Sequence, residues 1–287
     1  MDSPGVGIVV LNYTTVSDTM RCVRTLRRQD YPGYRIFVID NASPDGSEAR
    51  LRAELPGEVV AQRGRNLGYG DGNNLGIEMA LSEGVDFVWM VSPDVRVAPD
   101  CLRHMVTLME RCPEIGICGP VVHAGEKTVL RWSLAETLGF QTWAHTVRDS
   151  ALISQPDHVE TGFVEGGAML IRSDVVWRIG GFRTDFFLYY EECEFCLRAK
   201  DAGWRMAICT RAHVSTRWND GSRNRRYYYM TRNSIALARL RCCYVGRAVA
   251  RNLLLLPLYT LLKGQRASIG LKAVWDGLSM SLERGRP

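Results

Sequence analysis

VGIVVLN, at Val6–Asn12, is a short apolar run rich in β-branched residues, as expected of a buried strand. Apolar residues at helical spacing follow it, and then comes a second run of the same kind, RIFVI at Arg35–Ile39. This alternation is typical of βαβ units wound into a mostly parallel sheet. We therefore predict an α/β fold, with strands at Val6–Asn12, Arg35–Ile39, Val59–Gln62, Phe87–Val91, Ile115–Val121 and Gly166–Arg172.

The composition is that of a globular protein with a large core, since 46% of the 287 residues are hydrophobic and 23% are charged. The net charge is only +5, and the basic residues are spread along the chain, so no nucleic acid is expected as a partner. Nine cysteines at irregular spacing and no signal-peptide pattern at the N-terminus predict a reduced, cytoplasmic protein.

The second half of the chain is less regular. From Lys127 to Glu160 the periodicity fades, which predicts an irregular insertion or a flexible loop over a site. A helix is predicted from Glu191 to Ala202, where Phe195 and Ala199 share one face and Gly203 follows as a stop signal. We expect residues 1–222 to form one domain, with halves at about 1–122 and 123–222, and residues 223–287 to form a helical extension.

The C-terminal extension contains an apolar run, Leu253–Leu262, which Pro257 interrupts. Ten residues are too few to cross a bilayer, which needs roughly twenty. Two interpretations stay open. The helices either pack back on the domain, or residues 244–262 form an amphipathic surface that rests on the inner face of a membrane.

Polar residues follow the predicted strands at their carboxyl ends, where open parallel sheets bind ligands. Asn12 and Tyr13 end the first strand, Asp40 and Asn41 end the second, and Asp94 follows the fourth. The Asp40 carboxylate either accepts a hydrogen bond from the imide N–H of a uracil or thymine, or forms a turn with the residues that follow it. Asp94 either holds Mg²⁺ or Mn²⁺ or is a turn residue after proline.

Two further segments carry candidate chemistry. Arg65–Gly76 is glycine-rich and precedes a helix, so its backbone can approach a ligand closely and the helix N-terminus favours phosphate. Glu191, Glu192 and Glu194 open the predicted helix, where acidic residues also suit the helix dipole. Because consecutive helical residues point about 100° apart, we expect at most one of Glu191 and Glu192 to act as a general base.

Together these segments resemble the family 2 inverting glycosyltransferases of GT-A fold, and most closely the rhamnosyltransferase-like members. Order and spacing agree over roughly the first 240 residues. The matching segments are Ile8–Tyr13 (IVVLNY), Val38–Ser47 (VIDNASPDGS), Asn66–Ile77 (NLGYGDGNNLGI), Ser92–Val95 (SPDV), Gly166–Arg172 (GGAMLIR), Gly180–Arg198 (GGFRTDFFLYYEECEFCLR) and Gly203-Trp204.

The resemblance implies roles for these residues. Asp40 would read the base, Asp94 would fill the metal-binding acidic position, and Glu192 would deprotonate the acceptor hydroxyl. Gly166, Gly167 and Glu191 would border the acceptor, and the insertion with Trp132 and Trp143 would form its wall. The predicted nucleotide-binding residues are Asn12, Tyr13, Asp40, Asn41, Asn66, Gly68, Asn73 and Asp94.

Three departures from the family pattern bear on function. Glu192 stands where aspartate is usual, Ser92 replaces an asparagine, and Thr216 replaces a histidine expected to bind metal or diphosphate. His213, three residues earlier, is the alternative metal ligand. These changes leave open a catalytically degenerate homologue that acts as a binding or scaffold subunit. A nucleotidyl transferase is disfavoured, because the glycine-rich loop does not follow the first strand.

The resemblance also implies the reactants. The donor is expected to be a nucleotide-diphosphate sugar of dTDP or UDP type, with rhamnose as the first assignment, and the cofactor Mg²⁺ or Mn²⁺. The acceptor would be the hydroxyl of a glycan, a lipid-linked sugar or a small natural product. The sequence leaves open whether the chain forms a homodimer.

Overall fold

The computed structural model describes residues 3–125, 127–135, 140–147, 156–216, 223–263 and 266–282. The strands are β1 (Val6–Asn12), β2 (Tyr34–Asp40), β3 (Val59–Gln62), β4 (Phe87–Val91), β5 (Val95–Val97), β6 (Ile115–Ala124), β7 (Lys127–Ala135), β8 (Gln141–Val147), β9 (His158–Glu160), β10 (Ala168–Arg172) and β11 (Arg205–Thr216). The helices are α1 (Val16–Leu26), α2 (Ser47–Glu54), α3 (Tyr69–Ser82), α4 (Cys101–Arg111), α5 (Ser173–Ile179), α6 (Glu191–Asp201), α7 (Arg223–Leu240), α8 (Val245–Lys263) and α9 (Ala267–Ser279).

One mixed sheet organises the fold, in the order β3-β2-β1-β4-β10-β6-β11-β5. β1 pairs in parallel with β2 and β4, and β2 with β3, so the carboxyl ends of these strands meet at one edge. β10 lies antiparallel between β4 and β6, and β6 pairs in parallel with β11. In such sheets, ligands bind in the crevice beyond the carboxyl ends of the parallel strands.

Helices cover both faces of this sheet. Ile8 and Val10 of β1 belong to one core cluster with residues of α1 and α4, whereas Val9 and Leu11 belong to a second cluster with residues of α3, α6 and α7. Successive side chains of a strand point to opposite faces, so a strand that is apolar throughout must be covered on both sides. The α/β prediction is confirmed.

The predicted strands agree closely with the observed ones. Those at Val6–Asn12, Val59–Gln62 and Phe87–Val91 have the same bounds, while β2 is longer by one residue at each end and β6 continues to Ala124. β10 begins at Ala168, not at Gly166. The Gly166 carbonyl accepts from the Tyr69 hydroxyl of α3, and the Gly167 carbonyl accepts from the backbone N–H of Ser92, just beyond β4, instead of from a strand partner.

The prediction of an irregular insertion from Lys127 to Glu160 is wrong for its described part. β7 and β8 form a hairpin joined to β6, and β9 pairs antiparallel with β11. Side-chain periodicity does not reveal β7, because its consecutive residues Thr128, Val129 and Leu130 are all buried, so apolar and polar positions do not alternate along it. Trp132 lies in β7 and Trp143 in β8, but their side chains are outside the described residues.

The helical character of the C-terminal segment is confirmed by α7, α8 and α9. Ile235, Ala248 and Val274 join the second core cluster, so part of each helix packs against the rest of the protein. Pro257 lies inside α8, which continues past it. Across the described residues, no helix is both long enough and apolar enough to cross a membrane.

Candidate active site

Two joined cavities open at the carboxyl edge of the parallel strands. The larger, which we call the outer cleft, has a volume of about 1230 Å³, and the smaller inner cavity has about 300 Å³. The outer cleft is lined by residues that include Tyr13, Asn41, Asn66, Gly68, Arg225 and Tyr229. The inner cavity is lined by residues that include Glu165, Gly166, Gly167, Glu191 and Glu192. Both cavities share Tyr69, Ser92, Asp94, Leu188 and Thr216, which therefore mark their junction.

Asp40 and Asn12 form a buried layer beneath the outer cleft. Each is 0% exposed, and Asn12 Nδ2 donates to Asp40 Oδ1 at 2.7 Å. The Asp40 carboxylate also accepts from the backbone N–H of Ser43 at 2.9 Å and from its hydroxyl at 2.7 Å, which is the turn that the sequence left open. Asn73, at 1% exposure, likewise does not line the cleft. Direct nucleotide contacts of these three residues stay predictions.

The glycine-rich loop lines the cleft through Asn66 and Gly68. Asn41 Nδ2 donates to Asn66 Oδ1 and to Gly68 O, each at 3.1 Å, which ties the loop to the end of β2. Gly68 has φ +104°, and a Cβ there would lie 2.2 Å from the Phe187 carbonyl oxygen, so only glycine fits. Asn41 Oδ1 is buried and has no hydrogen-bond partner among the described residues. A free hydrogen-bond acceptor atom in this position is suited to bind an N–H or O–H group of a ligand.

Asp94 lies at the junction of the two cavities, beside Thr216. The Thr216 hydroxyl donates to Asp94 Oδ2 at 2.8 Å, because β11 pairs with β5 in a register that sets Thr216 opposite Val95. A carboxylate and a hydroxyl are oxygen ligands of the kind that Mg²⁺ and Mn²⁺ accept, and Mg²⁺ sites often use one or two carboxylates plus substrate phosphates. The donor set therefore fits a divalent cation that shares its coordination with a diphosphate.

The structure does not bring His213 beside Asp94. His213 Nδ1 lies 3.1 Å from His123 Nε2, and the residue opposite His213 on β6 is Val121. His213 and Thr216 are three residues apart on one strand, so their side chains point to opposite faces. Within the described ranges, no group of three His, Cys, Asp or Glu residues could hold a metal ion. Thr216, not His213, is the neighbour of the acidic position.

Besides Asp94 at the junction, three acidic residues line the inner cavity: Glu165, Glu191 and Glu192. Burial raises the pKa of Glu192 to about 7. Burial, followed by the charges of Glu192 and Asp94, raises the pKa of Glu165 to about 7. Burial and the neighbouring Glu192 hold the pKa of Glu191 well above its usual range. A carboxyl group with a pKa near neutrality is suited to accept a proton during a reaction.

Glu191 and Glu192 both line the inner cavity, although they point about 100° apart on the helix. Both lie in the first turn of α6. Glu191 Oε2 is buried without a hydrogen-bond partner among the described residues. Glu194 points elsewhere and pairs with Arg198 at 2.8 Å.

The turn that leads into α6 has a strained backbone. Phe187, Tyr189 and Tyr190 have φ of 62°, 66° and 75°, values that non-glycine residues rarely adopt. Such conformations persist only where the surrounding structure fixes them, and they cluster at functional sites. The backbone N–H of Tyr69 donates to the Phe187 carbonyl at 2.7 Å, so the turn also fixes the start of the glycine-rich helix α3.

Asn233 of α7 holds this turn in place. It is 0% exposed, and its Nδ2 atom lies 3.0, 2.8 and 2.7 Å from the carbonyl oxygens of Phe186, Leu188 and Tyr189. Arg232 also donates to the Phe186 carbonyl. The first turn of α6, which carries Glu192, is therefore positioned by a helix about forty residues later in the chain.

Sequence reasoning missed several residues that line the site. Glu165 directly precedes Gly166, so extending that motif by one residue would have included it. Tyr69 lies inside the glycine-rich motif, and its hydroxyl donates to the Gly166 carbonyl at 2.8 Å. Arg225 and Tyr229 reach the outer cleft from α7, and Asn233 acts from the same helix. No local signal in the sequence connects α7 with the site.

Comparison with solved structures identifies the fold. The chain is similar to GalNAc-T7 with UDP, GalNAc and Mn²⁺, at a TM-score of 0.64 and 12% identity, over 83% of this chain and 48% of that one. It is similar to the mannosyltransferase PcManGT from Pyrobaculum calidifontis in complex with GDP-Man and Mn²⁺, at a TM-score of 0.62 and 14% identity, over 97% and 88%. This chain thus spans about half the length of GalNAc-T7. The fold is the GT-A type of the nucleotide-sugar glycosyltransferases.

Sequence comparison gives the family. Residues 6–180 match the model described as Glycosyl transferase family 2, and the chain belongs to that family. It is 25% identical over 229 residues to the N-acetylglucosaminyl-diphospho-decaprenol L-rhamnosyltransferase of Mycobacterium tuberculosis, with 72% of this chain and 74% of that protein covered. The resemblance stated from the motifs is confirmed, and the protein is a nucleotide-sugar-dependent glycosyltransferase.

Proposed function

We propose that this glycosyltransferase moves a hexose from a nucleotide diphosphate to an acceptor hydroxyl in one displacement, with inversion at the anomeric carbon. One observation carries the proposal. The Glu192 carboxylate lines an inner cavity that meets the outer cleft at Asp94 and Thr216. With the base on one side of this junction and the nucleotide diphosphate on the other, the acceptor hydroxyl and the leaving diphosphate would lie on opposite sides of the anomeric carbon.

The nucleotide diphosphate would occupy the outer cleft. Asn41 Oδ1 would accept a hydrogen bond from the nucleotide, and the loop at Asn66 and Gly68 would bring its backbone groups close to it. Arg225 would supply positive charge for the diphosphate. Tyr13 would lie against the nucleoside. For Asp40 to read a uracil or thymine imide, its carboxylate would exchange one of its present bonds to Ser43 or Asn12 for the imide N–H.

The reaction would use Glu192 as the base. The acceptor oxygen attacks the anomeric carbon, its proton passes to the Glu192 carboxylate, and the bond from the anomeric carbon to the diphosphate oxygen breaks. Gly166, Gly167 and Glu191 would border the acceptor sugar. Glu165 would accept hydrogen bonds from its other hydroxyl groups, because its carboxylate faces the same inner cavity.

A divalent cation, Mg²⁺ or Mn²⁺, would be held by Asp94 with the Thr216 hydroxyl beside it. When bound, it would offset the negative charge of the departing diphosphate. The oxygen-only character of this pair and its place at the junction support the assignment.

Rhamnose on dTDP or UDP is our assignment for the donor, and a lipid-linked sugar is our assignment for the acceptor. The rhamnose and the lipid-linked sugar rest on the 25% identity to the mycobacterial protein, whose name states an N-acetylglucosaminyl-diphospho-decaprenol L-rhamnosyltransferase. The choice of dTDP or UDP rests on the motifs that resemble the rhamnosyltransferase-like members of the family.

The first test is thermal stabilisation by UDP, dTDP, GDP and ADP, each with and without Mn²⁺, in the wild type and in Asp94→Ala. A ligand at about a hundred times its Kd stabilises the folded state by about 2.7 kcal/mol, which raises Tm by several degrees. We expect a metal-dependent rise with one pyrimidine nucleotide and its loss in Asp94→Ala. The absence of any rise with all four nucleotides would overturn the proposed donor site.

Hydrolysis of the sugar nucleotide without acceptor then separates an active enzyme from a degenerate binding subunit. Slow, metal-dependent release of nucleotide diphosphate from dTDP-rhamnose or UDP-rhamnose supports catalysis. Binding of the nucleotide without hydrolysis, and without transfer to any tested acceptor, would favour the degenerate homologue.

A further inference from the structure

The outward faces of α8 and α9 are apolar at helical spacing. Among the described side chains of α8, the exposed ones after Arg247 are Ala250, Leu253, Leu254, Pro257 and Leu261, and on α9 Leu271, Trp275 and Leu278 recur every three or four residues. Leu254 is 79% exposed, Leu261 81% and Trp275 71%. We call these eight residues the α8–α9 apolar face. A surface helix of a globular protein normally shows polar residues in these positions.

The inward faces of the same helices are already packed. A Cβ added to Gly270 of α9 would lie 2.4 Å from a methyl of Leu256 on α8, and one added to Gly277 would lie 2.7 Å from the Arg232 carbonyl on α7. Ala273 and Val274 are buried between these glycines. The outward leucines and Trp275 are therefore a second apolar surface, which the described part of the chain leaves exposed.

The C-terminal segment that carries this face is strongly basic, although Lys272 on α9 pairs with Asp276 at 2.7 Å. From Arg223 to the end of the chain the sequence has thirteen Lys and Arg residues but only two acidic ones, whereas the whole chain has 36 and 31. Arg247, Arg266 and Lys272 lie on α8, before α9 and on α9, and all three are exposed. Two copies meeting through this face would bring like charges together, whereas an anionic surface would attract them.

We propose that the α8–α9 apolar face docks on the surface of an anionic lipid bilayer. Leucine side chains would enter the boundary between headgroups and acyl chains, Trp275 would lie at the headgroup level, and the arginines and Lys272 would contact the phosphates. This arrangement needs no spanning helix. It also includes α9, which the sequence did not suggest as part of a membrane surface.

The face connects to the active site through α7. The N-terminal part of α7 lines the outer cleft at Arg225 and Tyr229, and Arg239, near its end, donates to the carbonyl groups of Gly277 and Met280 in and after α9 at 3.0 and 2.8 Å. Docking would thus hold the cleft near the bilayer and favour an acceptor anchored in lipid. This last step rests on the proposed function, whereas docking itself does not.

The test is flotation of the full chain with vesicles of phosphatidylcholine alone and of phosphatidylcholine mixed with phosphatidylglycerol, without donor or acceptor. The variant is the triple substitution Leu254→Ser, Leu261→Ser and Trp275→Ser. The matched control is Trp177→Ser on α5, since Trp177 is 69% exposed but lies outside the face. Thermal melting and nucleotide stabilisation verify that each variant is folded.

We expect the wild type and Trp177→Ser to float with the anionic vesicles, and the triple variant to bind at least about tenfold more weakly. High salt should weaken binding of the wild type. The proposal that the face docks on lipid is overturned if the wild type floats with neither kind of vesicle, or if the triple variant binds the vesicles as strongly as the wild type does. Dimerisation of the wild type that the triple variant loses, without vesicle binding, would assign the face to a second copy. Because the assay uses no donor, each of these outcomes is independent of the proposed transfer reaction.

Discussion

Glu192 is the residue whose protonation we expect to set the rate. Its pKa is raised to about 7 by burial, and a general base acts only in its deprotonated form. We predict that kcat/KM rises with pH through about 7 and levels off above it. Glu192→Gln should lower kcat by roughly 10²- to 10⁴-fold while nucleotide stabilisation is retained. Initial rates across pH and a melting series with nucleotide measure both.

Substitution of Glu165 tests whether Glu192, and not Glu165, is the general base. Its carboxylate faces the same cavity, and its pKa is also raised to about 7 by burial and by the charges of Glu192 and Asp94. Glu165→Gln removes one neighbouring negative charge, so the acidic limb of the profile should move to lower pH with activity retained. If Glu165→Gln abolishes transfer and Glu192→Gln does not, the base is Glu165.

Substitution of Thr216 tests the proposed metal site at Asp94. Its hydroxyl donates to Asp94 Oδ2 at 2.8 Å, and valine has nearly the same shape without that donor. We predict that Thr216→Val weakens the Mn²⁺ dependence of nucleotide stabilisation by about two- to tenfold, the range of a typical hydrogen bond. Thr216→Ser, which keeps the hydroxyl, is the control. An unchanged Mn²⁺ midpoint in Thr216→Val would show that the cation is held without Thr216.

At the scale of elements, α7 links the C-terminal helices to catalysis. Asn233 holds three carbonyls of the strained turn before α6, so its loss should let this turn relax and displace Glu192. We predict that Asn233→Ala lowers kcat by roughly ten- to a hundredfold, since a displacement of about 1 Å can cost that much. The Kd of the nucleotide should change less than kcat, and steady-state kinetics with melting curves measure the two effects.

Asn252 supplies a matched control for this prediction. It is also a buried asparagine of the C-terminal helices, and its Nδ2 donates to Ala248 O at 2.8 Å and to Ser234 Oγ at 3.3 Å, away from the turn. Asn252→Ala should lower Tm by a similar amount to Asn233→Ala, because each leaves buried acceptors unpaired. Equal losses of kcat in both variants would mean that Asn233 acts only through stability.

For the whole molecule, the buried acids predict how stability depends on pH. Glu165 and Glu192 have pKa values raised from 4.5 to about 7, so the stability they contribute is present below about 4.5 and is lost as the pH rises through about 7. Asp18 and Asp201 have pKa values lowered from 3.8 by hydrogen bonds to Arg21 and Arg241, so their contribution is lost as the pH falls below about 3.8. We expect the highest Tm between about pH 4 and pH 5, measured by scanning calorimetry.

Glu191 and Glu194 form a matched pair for this prediction, because both are buried at the start of α6. Glu191→Gln removes a buried carboxyl group whose Oε2 has no described partner, and should raise Tm at pH 8. Glu194→Gln breaks the ion pair with Arg198 and should lower Tm at the same pH. A lower Tm in Glu191→Gln would show that its charge is stabilised in the folded protein.

Local patterns in the sequence determined most of the fold. β1 and β4 could be predicted to the residue, because each is a short apolar run that is buried on both faces. The bounds of β3 were also predicted, although only Val60 of this strand is buried. The hairpin β7–β8 could not, because pairing with β6, and not its own periodicity, makes it a strand. Helix α6 was predictable from the shared face of Phe195 and Ala199 and from Gly203, which follows the helix as a stop signal.

The candidate site also has a part that the sequence determines and a part that only the tertiary structure decides. The sequence by itself determined that Asp94, Gly68 and Glu192 belong to long motifs whose order along the chain fixes a family. Only the tertiary structure decided that Asp40 lies beneath the cleft, that Thr216 and not His213 meets Asp94, and that Asn233 holds the turn before Glu192. The physical reason is distance along the chain. Motifs report contacts between near neighbours, whereas these contacts join residues that only the register of strands and the packing of α7 bring together.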